Sequence, residues 1–230
     1  SACESARILL NSKSERYPQG LANSSGHVGK NIMDSTGVSF GASIPALENR
    51  PKYNEDGHTA NHLFIPWWGH KMQENKELDF PRGYHFEIGS GFRAPGAGVG
   101  GDLDGYGKPL KDIAKQAYGT YVGLALRGEM LPNAGSYMEI DENVKDKWGI
   151  PVVKFHWKWS EHELKQVEHG LKTAKKILET MGASLTKPLP KAEDAILKGG
   201  QIIHEVGSTR MGANPKESVT NQWGQTWDCD

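Results

Sequence analysis

Residues 201–230 read QIIHEVGSTRMGANPKESVTNQWGQTWDCD, and the rest of the chain is organised around this stretch. A short apolar run, Ile202 and Ile203, precedes His204, and a glycine follows at Gly207. This order predicts a strand end that carries the imidazole to the edge of a cleft, and then a turn whose backbone approaches a ligand closely. Histidine accepts a proton near neutral pH, because its ordinary pKa is about 6.5. His204 is therefore a candidate general base, although a single histidine at a strand end also serves purely structural roles.

Size, charge and cysteine content exclude several classes of protein. The 230 residues suit one large domain or two small ones, and the net charge of -1 gives no field that favours nucleic acid or an anionic membrane. No run approaches the roughly 18 apolar residues of a membrane span, and the first residues carry no export signal. The two cysteines, Cys3 and Cys229, are too few for a disulfide framework or a cysteine metal site. The sequence predicts a soluble protein and leaves cytoplasm or periplasm open.

Alternating apolar residues predict strands through the middle of the chain. Between residues 36 and 92 the apolar positions repeat every second residue, which is typical of an antiparallel sheet packed on one face. Residues 121–130 and 136–140 flank a turn at 132–135 and predict a hairpin. The clearest alternation lies within residues 146–159, where one face of the predicted strand carries Val153, Phe155, Trp157 and Trp159.

Three stretches have helical periodicity: residues 2–12, 108–118 and 160–181. The third is the clearest, because Ser160 and Glu163 form a capping box and Gly182 follows its apolar stripe. Together the elements predict an α+β fold: a mostly antiparallel β-sheet with helices packed on one face.

Three other patterns suggest chemistry that the sequence supports less well. GAGVGG at residues 96–101 matches a dinucleotide fingerprint, but Pro95 interrupts the approach and no helix opens after it, so we interpret it as a surface loop. His58 and His62 are four residues apart, but the glutamate of a zinc-binding helix is missing. Trp67 and Trp68 suit a sugar-binding cleft, but tryptophans are more often part of a core.

Four segments resemble the glucose-methanol-choline (GMC) family of FAD-dependent oxidoreductases. The most specific is HEVGSTRMG at residues 204–212, with its continuation as Asn214-Pro215 and SVTN at 218–221. ACESARILLNS at 2–12 is similar to a second signature of the family, although Ala6 replaces the usual proline. GHVGKNIMDS at 26–35 matches a third, with Ser35 in place of the usual histidine. KDKWGIPV at 145–152 recurs in one bacterial-type branch of the family.

The resemblance implies a cofactor, a reaction and a set of site residues. It implies FAD as the cofactor, with hydride passing from a CH–OH group to the flavin and the hydroxyl proton passing to His204. Arg210 would favour the reduced, anionic flavin, or alternatively form a salt bridge with a neighbouring carboxylate. The residues that the resemblance places near the flavin are Asn31, Gly207, Ser208, Arg210, Met211 and Gly212.

The resemblance also implies a domain arrangement. Residues 1–35 are expected to be a remnant of the connection to a flavin domain, and residues 36–230 the substrate-binding domain. The expected partners are the missing flavin-binding domain of the same polypeptide and a small alcohol or sugar. On this reading the chain is a fragment that retains little or no FAD and is inactive alone. The second catalytic residue is expected beyond the chain, and the electron acceptor (oxygen, a quinone or a cytochrome) stays open.

Two rival functions remain at this point. One is a noncatalytic carbohydrate-binding module, with Trp67, Trp68, Trp157 and Trp159 as the sugar platform. The other is a histidine-based metallohydrolase, which requires a bound zinc ion.

Overall fold

The computed structural model describes residues 2–50, 63–90, 105–185 and 187–229. The described helices are α1 (Ala2–Asn11), α2 (His70–Glu74), α3 (Gly107–Ala117), α4 (Glu161–Thr180) and α5 (Ala192–Ala195), with a 3-10 turn at Pro45–Leu47. The described strands are β1 (Lys30–Met33), β2 (Thr36–Ser43), β3 (Leu63–Ile65), β4 (Tyr84–Ser90), β5 (Tyr121–Gly128), β6 (Tyr137–Lys145), β7 (Pro151–His156), β8 (Ser184–Leu185) and β9 (Val206–Ser208).

The chain divides into two compact units, each with its own antiparallel sheet. The first unit comprises Ser1–Ser35, Glu129–Glu163 and Leu197–Asp230, and its strands follow the order β7-β6-β1-β9. The second comprises Thr36–Gly128 and Leu164–Ile196, and its strands follow the order β3-β4-β5-β2-β8. Antiparallel sheets combined with helices confirm the predicted α+β class. The expected role of residues 1–35 as a remnant of a flavin-domain connection stays a prediction.

The core of the second unit lies between its sheet and helix α4. Alternate residues of β4 and β5 point inward, and the apolar stripe of α4 packs against them. The helix lies close to the sheet at Gly170, where an added Cβ would come within 1.9 Å of Leu126 Cδ1. The central buried side chains are Tyr84, Phe86, Ile88, Val122, Leu124, Leu126, Val167, Leu171, Ala174 and Leu178. The helix therefore covers one face of this sheet, as the periodicities predicted.

The start of α4 shows the glutamate half of the predicted capping box, in which the Glu163 side chain accepts the Ser160 N–H. The Ser160 backbone N–H and hydroxyl donate to Glu163 Oε2 at 2.6 and 2.5 Å, and the Leu131 N–H donates to Glu163 Oε1 at 2.9 Å. The carboxylate is fully buried, so these donors replace the water that it loses. At the other end Gly182 adopts a φ of 66°, which stops the helix.

The first unit is built around β1. This strand pairs with β6 on one side and with β9 on the other. Helix α1 packs against the same sheet through Ala6, which is fully buried. The cluster beneath it consists of Ala6, Ala22, Val28, Ile32, Met138 and Val219. Two segments of the family resemblance, at residues 2–12 and 26–35, thus share one core.

The predicted hairpin between residues 121–130 and 136–140 is wrong. Strand β5 pairs with β2 and β4, whereas β6 pairs with β7 and β1. The real hairpin is β6–β7, whose turn is closed by Asp146: its Oδ1 accepts the Trp148 and Ile150 N–H groups at 2.9 and 3.0 Å. A turn motif at 132–135 marks a change of direction, but it does not decide which strands pair.

The predicted strand within residues 146–159 is shorter than expected, and one side chain of its apolar set is exposed. Strand β7 stops at His156, and Val153 and Trp157 pack against the core of the first unit. Phe155 is 49% exposed. Because β7 is the edge strand of its sheet, fewer neighbours are available to cover this ring.

Two of the sequence patterns lie outside the described residues: the glycine-rich run at 96–101 and the histidine pair at 58 and 62. In the part of the chain that the structure describes, no helix has the length and apolar character needed to cross a membrane.

Tyr84 and His169 make the stability of the second unit depend on pH. Tyr84 Oη lies 2.7 Å from His169 Nδ1; burial raises the pKa of Tyr84 to about 12 and lowers the pKa of His169. A lowered folded-state pKa means that the unfolded chain binds the proton more readily. The stabilisation should therefore be complete above the ordinary imidazole pKa of about 6.5 and decrease as the pH falls from there through the lowered pKa.

We expect the free energy of unfolding of the wild-type chain, measured with urea, to be lower at pH 5 than at pH 8. This decrease should be smaller in His169→Gln. The same slope in both proteins would contradict a contribution from His169.

Candidate functional site

The backbone at His204 is anchored by a buried carboxylate from a distant part of the sequence. Asp34 Oδ1 accepts the His204 N–H at 3.0 Å, and Oδ2 accepts the Ile203 N–H at 3.2 Å. Asp34 Oδ1 also accepts the Ser35 N–H at 2.7 Å, and Asp34 is 4% exposed. Ile203 adopts a φ of 65°, an unusual conformation for a β-branched residue. These bonds hold the backbone at the point where the imidazole leaves it.

The predicted strand leading into His204 is wrong. Residues 201–205 are irregular, and β9 begins at Val206, after the histidine. Ile202 is buried and Ile203 is 73% exposed. Ile202 thus lies in a bend, and neither Ile202 nor Ile203 belongs to a strand.

Asn31 and Gly207 meet where β1 pairs with β9. Lys30 is the register partner of Ser208 and Met33 that of Val206, with an irregularity between them. Asn31 and Gly207 both have positive φ, at 53° and 88°. An added Cβ on Gly207 would lie 2.1 Å from the Asn31 carbonyl oxygen, so only glycine fits without displacing backbone.

Ser208 is turned into the protein. Its side chain is fully buried, and its hydroxyl donates to the Ala2 carbonyl at 2.8 Å. Its own carbonyl accepts the Gly29 N–H at 2.7 Å. The side chain therefore fixes the start of α1, and any approach to a ligand at this position falls to the backbone.

Residues 210–212 are held in place by hydrogen bonds with Val219 and Thr220, in the continuation of the motif. The Val219 N–H donates to the Arg210 carbonyl at 2.9 Å, and the Gly212 N–H donates to the Thr220 carbonyl at 2.9 Å. Met211 and Thr220 form an isolated parallel bridge. Val219 is buried in the core of the unit, so it ties this extended segment to the sheet.

Two polar side chains of the motif are exposed. In the described parts of the chain, neither the His204 imidazole nor the Arg210 guanidinium has a hydrogen-bond or ion-pair partner. The salt bridge considered for Arg210 is thus not formed with any described carboxylate. A base and a cation without internal partners remain available to a ligand or to another part of a larger protein.

The structure therefore brings Asn31, Gly207 and Ser208 together on two paired strands, and aligns Arg210, Met211 and Gly212 in the segment that follows. Their predicted contact with a flavin stays a prediction. Sequence reasoning matched Asp34 to a family pattern but missed its task of holding residues 203 and 204. The available signal was an acidic residue directly after an apolar strand, and nothing local links it to a partner 170 positions away.

Two of the tryptophans considered as a sugar platform are packed into cores. The ring of Trp67 lies 4.8 Å from that of Tyr84 and packs against the core of the second unit. Trp157 packs against the core of the first unit, and its ring is 5.2 Å from Trp159 in an edge-on arrangement. Trp68 is 42% exposed. Core packing thus covers much of Trp67 and Trp157, and each is only partly exposed.

A metal centre finds no support in the described ranges, which leave out residues 1, 51–62, 91–104, 186 and 230. Within them no three His, Cys, Asp or Glu side chains are grouped to hold a metal ion.

Asp34→Ala is expected to lower the free energy of unfolding by about 2–4 kcal/mol, because it removes a buried carboxylate that accepts three backbone N–H groups. Urea unfolding of the chain measures the change. Asp141→Ala is the matched control: Asp141 also accepts a nearby backbone N–H, from Asn143 at 3.0 Å, but this bond is exposed and lies within β6. Its effect should stay within about 0.5 kcal/mol. Equal effects in the two variants would contradict the anchoring role of Asp34.

Comparison with known proteins gives consistent matches. Residues 132–230 match the family model described as GMC oxidoreductase. The chain is 27% identical over 226 residues to 2-methyl-1,2-propanediol dehydrogenase of Mycolicibacterium austroafricanum. The aligned region covers 96% of this chain and 39% of that protein. It is 25% identical over 229 residues to the fructose dehydrogenase large subunit of Gluconobacter japonicus. That aligned region covers 98% of this chain and 39% of that protein.

A third relative is the gluconate 2-dehydrogenase flavoprotein of Pantoea cypripedii, 22% identical over 125 residues, or 54% of this chain and 20% of that protein. The chain thus spans 39% of the length of the first two relatives.

Proposed function

We propose that this chain, whose residues 132–230 match the family model described as GMC oxidoreductase and which is similar to two dehydrogenases over nearly its whole length, supplies the substrate domain and catalytic base of a FAD-dependent enzyme. The enzyme oxidises CH–OH groups of alcohols or sugars. The names of two relatives, a propanediol dehydrogenase and a fructose dehydrogenase, support this substrate class. The flavin-binding portion of such an enzyme is the proposed partner, and this chain alone is expected to retain little FAD and to be inactive.

One observation carries the proposal: the exposed His204 is held at its backbone by the buried Asp34, beside the strand pair that contains Asn31 and Gly207. Two motif segments far apart in sequence are hydrogen-bonded to each other. A single structural histidine does not require such an arrangement. A base that must meet a substrate in a fixed geometry does require it, since positioning contributes much of the rate.

The residues present fit a flavin ring. The Arg210 guanidinium is exposed, and Gly207 lets the backbone of β9 pass close to that of β1. When bound, FAD supplies the hydride acceptor. Gly207, Arg210, Met211, Gly212 and Asn31, with the backbone of Ser208, are the residues that we propose to lie against it.

The residues of this chain perform three tasks in the proposed reaction. The imidazole of His204 removes the hydroxyl proton of the substrate as the carbinol hydrogen leaves, so that no free alkoxide accumulates. Asp34 fixes the backbone from which the imidazole projects. The cation of Arg210 stabilises negative charge that develops nearby, because a guanidinium stays protonated throughout.

The test is to express this chain within its complete polypeptide and to record the visible flavin absorption. The proposal expects FAD to copurify and its absorption to bleach anaerobically on addition of an alcohol or a sugar. A complete protein that is folded but free of FAD would refute the proposal. So would bound FAD that a broad panel of alcohols and sugars leaves oxidised.

A further inference from the structure

The tip of the β6–β7 hairpin, residues 144–150, presents large apolar side chains to solvent. Val144, Trp148 and Ile150 are 51%, 73% and 47% exposed. A tryptophan side chain gains much hydrophobic stabilisation when it is covered, and Trp148 forgoes most of it in water. Single exposed apolar residues are common, but several on one short segment are typical of a surface that binds a partner.

The tip is fastened to the body of the first unit. Arg7 Nη2 lies 2.7 Å from Asp146 Oδ2. The same guanidinium donates to the carbonyls of Ile150 and Pro151 at 3.2 and 3.0 Å. Arg7 belongs to α1, which packs into the core of the unit through Ala6. Because the tip is held in one conformation from below, binding a partner costs little conformational entropy.

The backbone of the tip satisfies most of its own polar groups. Asp146 Oδ1 accepts the Trp148 and Ile150 N–H groups. The Gly149 N–H donates to the Asp146 carbonyl, and the Asp146 N–H donates to the Ile150 carbonyl, both at 3.0 Å. Four of the five N–H groups in residues 146–150 thus have a partner within the turn. Since an unpaired N–H is costly to remove from water, this turn suits surroundings that contain little water.

The unpaired charges at the tip are positive. The two carboxylates in residues 142–150, Glu142 and Asp146, are each paired with a cation of the first unit, at 2.6 and 2.7 Å. Lys145 and Lys147 are exposed, and neither forms an ion pair within the described parts of the chain. The tip therefore combines an apolar end with two free ammonium groups, which complements a surface that is apolar inside and anionic outside.

We propose that residues 144–150 dock on an anionic lipid surface. Trp148 and Ile150 enter the boundary between headgroups and acyl chains, where tryptophan is favoured, and Lys145 and Lys147 contact the lipid phosphates. Salt screens charges more than about 8 Å away at physiological ionic strength, so these two lysines matter more than the net charge of -1 of the whole chain. The inference goes beyond the proposed function and does not depend on it.

The experiment measures sedimentation of the complete polypeptide with lipid vesicles. Vesicles of phosphatidylcholine with about one third phosphatidylglycerol should bind it at least about tenfold more tightly than vesicles of phosphatidylcholine alone. Trp148→Ala, which removes the apolar anchor, should weaken binding to the anionic vesicles by about 10-fold or more. The double substitution Lys145→Gln and Lys147→Gln should weaken it by about 30-fold, because it removes two electrostatic contacts. These side chains are exposed, so urea unfolding should be unchanged.

Two controls match these variants. Trp223 is 77% exposed in the same unit, but its turn, residues 221–225, contains no lysine. Trp223→Ala should therefore bind anionic vesicles as the wild type does. Lys111→Gln with Lys115→Gln removes two exposed lysines from α3, in the second unit, and should also leave binding unchanged.

Several results would overturn the proposal. These are equal binding to neutral and anionic vesicles, no binding to either, and binding that either tip variant leaves intact. Absence of vesicle binding together with self-association that Trp148→Ala abolishes, measured by analytical ultracentrifugation, would assign the tip to a protein contact instead. Trp148→Ala should change turnover of a water-soluble alcohol by less than about twofold. Vesicle binding and flavin reduction are therefore tested independently.

Discussion

His204→Ala is expected to lower kcat of the complete flavoenzyme by about 10²- to 10⁴-fold, the usual contribution of a positioned general base. The loss should appear in kcat more than in KM, because the imidazole acts on the proton that moves in the transition state. Anaerobic flavin reduction, followed in a stopped-flow instrument, measures the affected step directly. FAD content should stay unchanged, since the rest of the motif is intact.

The structure explains why this substitution should leave the fold intact. The bond from His204 to Asp34 uses the backbone N–H, which alanine retains. The imidazole itself is exposed, so its removal opens no cavity. His70→Ala is the control, because His70 is an exposed histidine in the second unit; kcat should change by less than about twofold. A His204→Ala enzyme that keeps most of the wild-type kcat would show that another group takes the proton.

Gly207→Ala is expected to be the most destabilising substitution in the motif, by about 3–5 kcal/mol. Two costs add up: alanine at a φ of 88° is strained, and its Cβ would lie 2.1 Å from the Asn31 carbonyl oxygen. That oxygen belongs to the β1 backbone, so the contact is relieved only by separating β9 from β1. Urea unfolding of the chain measures the loss, and the complete enzyme should lose activity with it.

Comparison with Gly224→Ala separates the steric cost of Gly207→Ala from the cost of its backbone conformation. Gly224 has a similar φ of 77°, but an added Cβ would meet nothing within 4 Å. Its cost should therefore be only the backbone term, about 1–2 kcal/mol. If both alanine variants lost the same stability, the close approach of Gly207 to Asn31 would have no energetic weight.

Local rules were sufficient wherever a residue's environment depends on its neighbours in sequence. The capping box at Ser160 and the stop at Gly182 bound α4 because each motif satisfies backbone groups within one turn. The alternation of Tyr84, Phe86 and Ile88 indicated a half-buried strand. The sequence motifs also selected His204 and its glycine turn, since their residue types are unusual in that order.

Local rules failed where the outcome depended on a partner far along the chain. Phe155 alternates with Val153 and Trp157 in sequence, yet it is exposed, because β7 lies at the edge of its sheet. Trp67 was a candidate for a cleft, yet it is packed against Tyr84. In both cases the surrounding elements, rather than the residue's own pattern, decided which side chain was covered.

From sequence alone, then, came the α+β class, the helices and strands with strong periodicity, and the segment that carries the candidate base. The tertiary structure alone decided that β5 and β6 belong to different sheets, that Asp34 holds the backbone of His204, and that Gly207 lies against Asn31. The physical reason is the distance along the chain over which each kind of interaction acts. Dihedral preferences and caps act over a few residues, whereas strand pairing and burial of a carboxylate depend on which distant groups can satisfy one another once water is excluded.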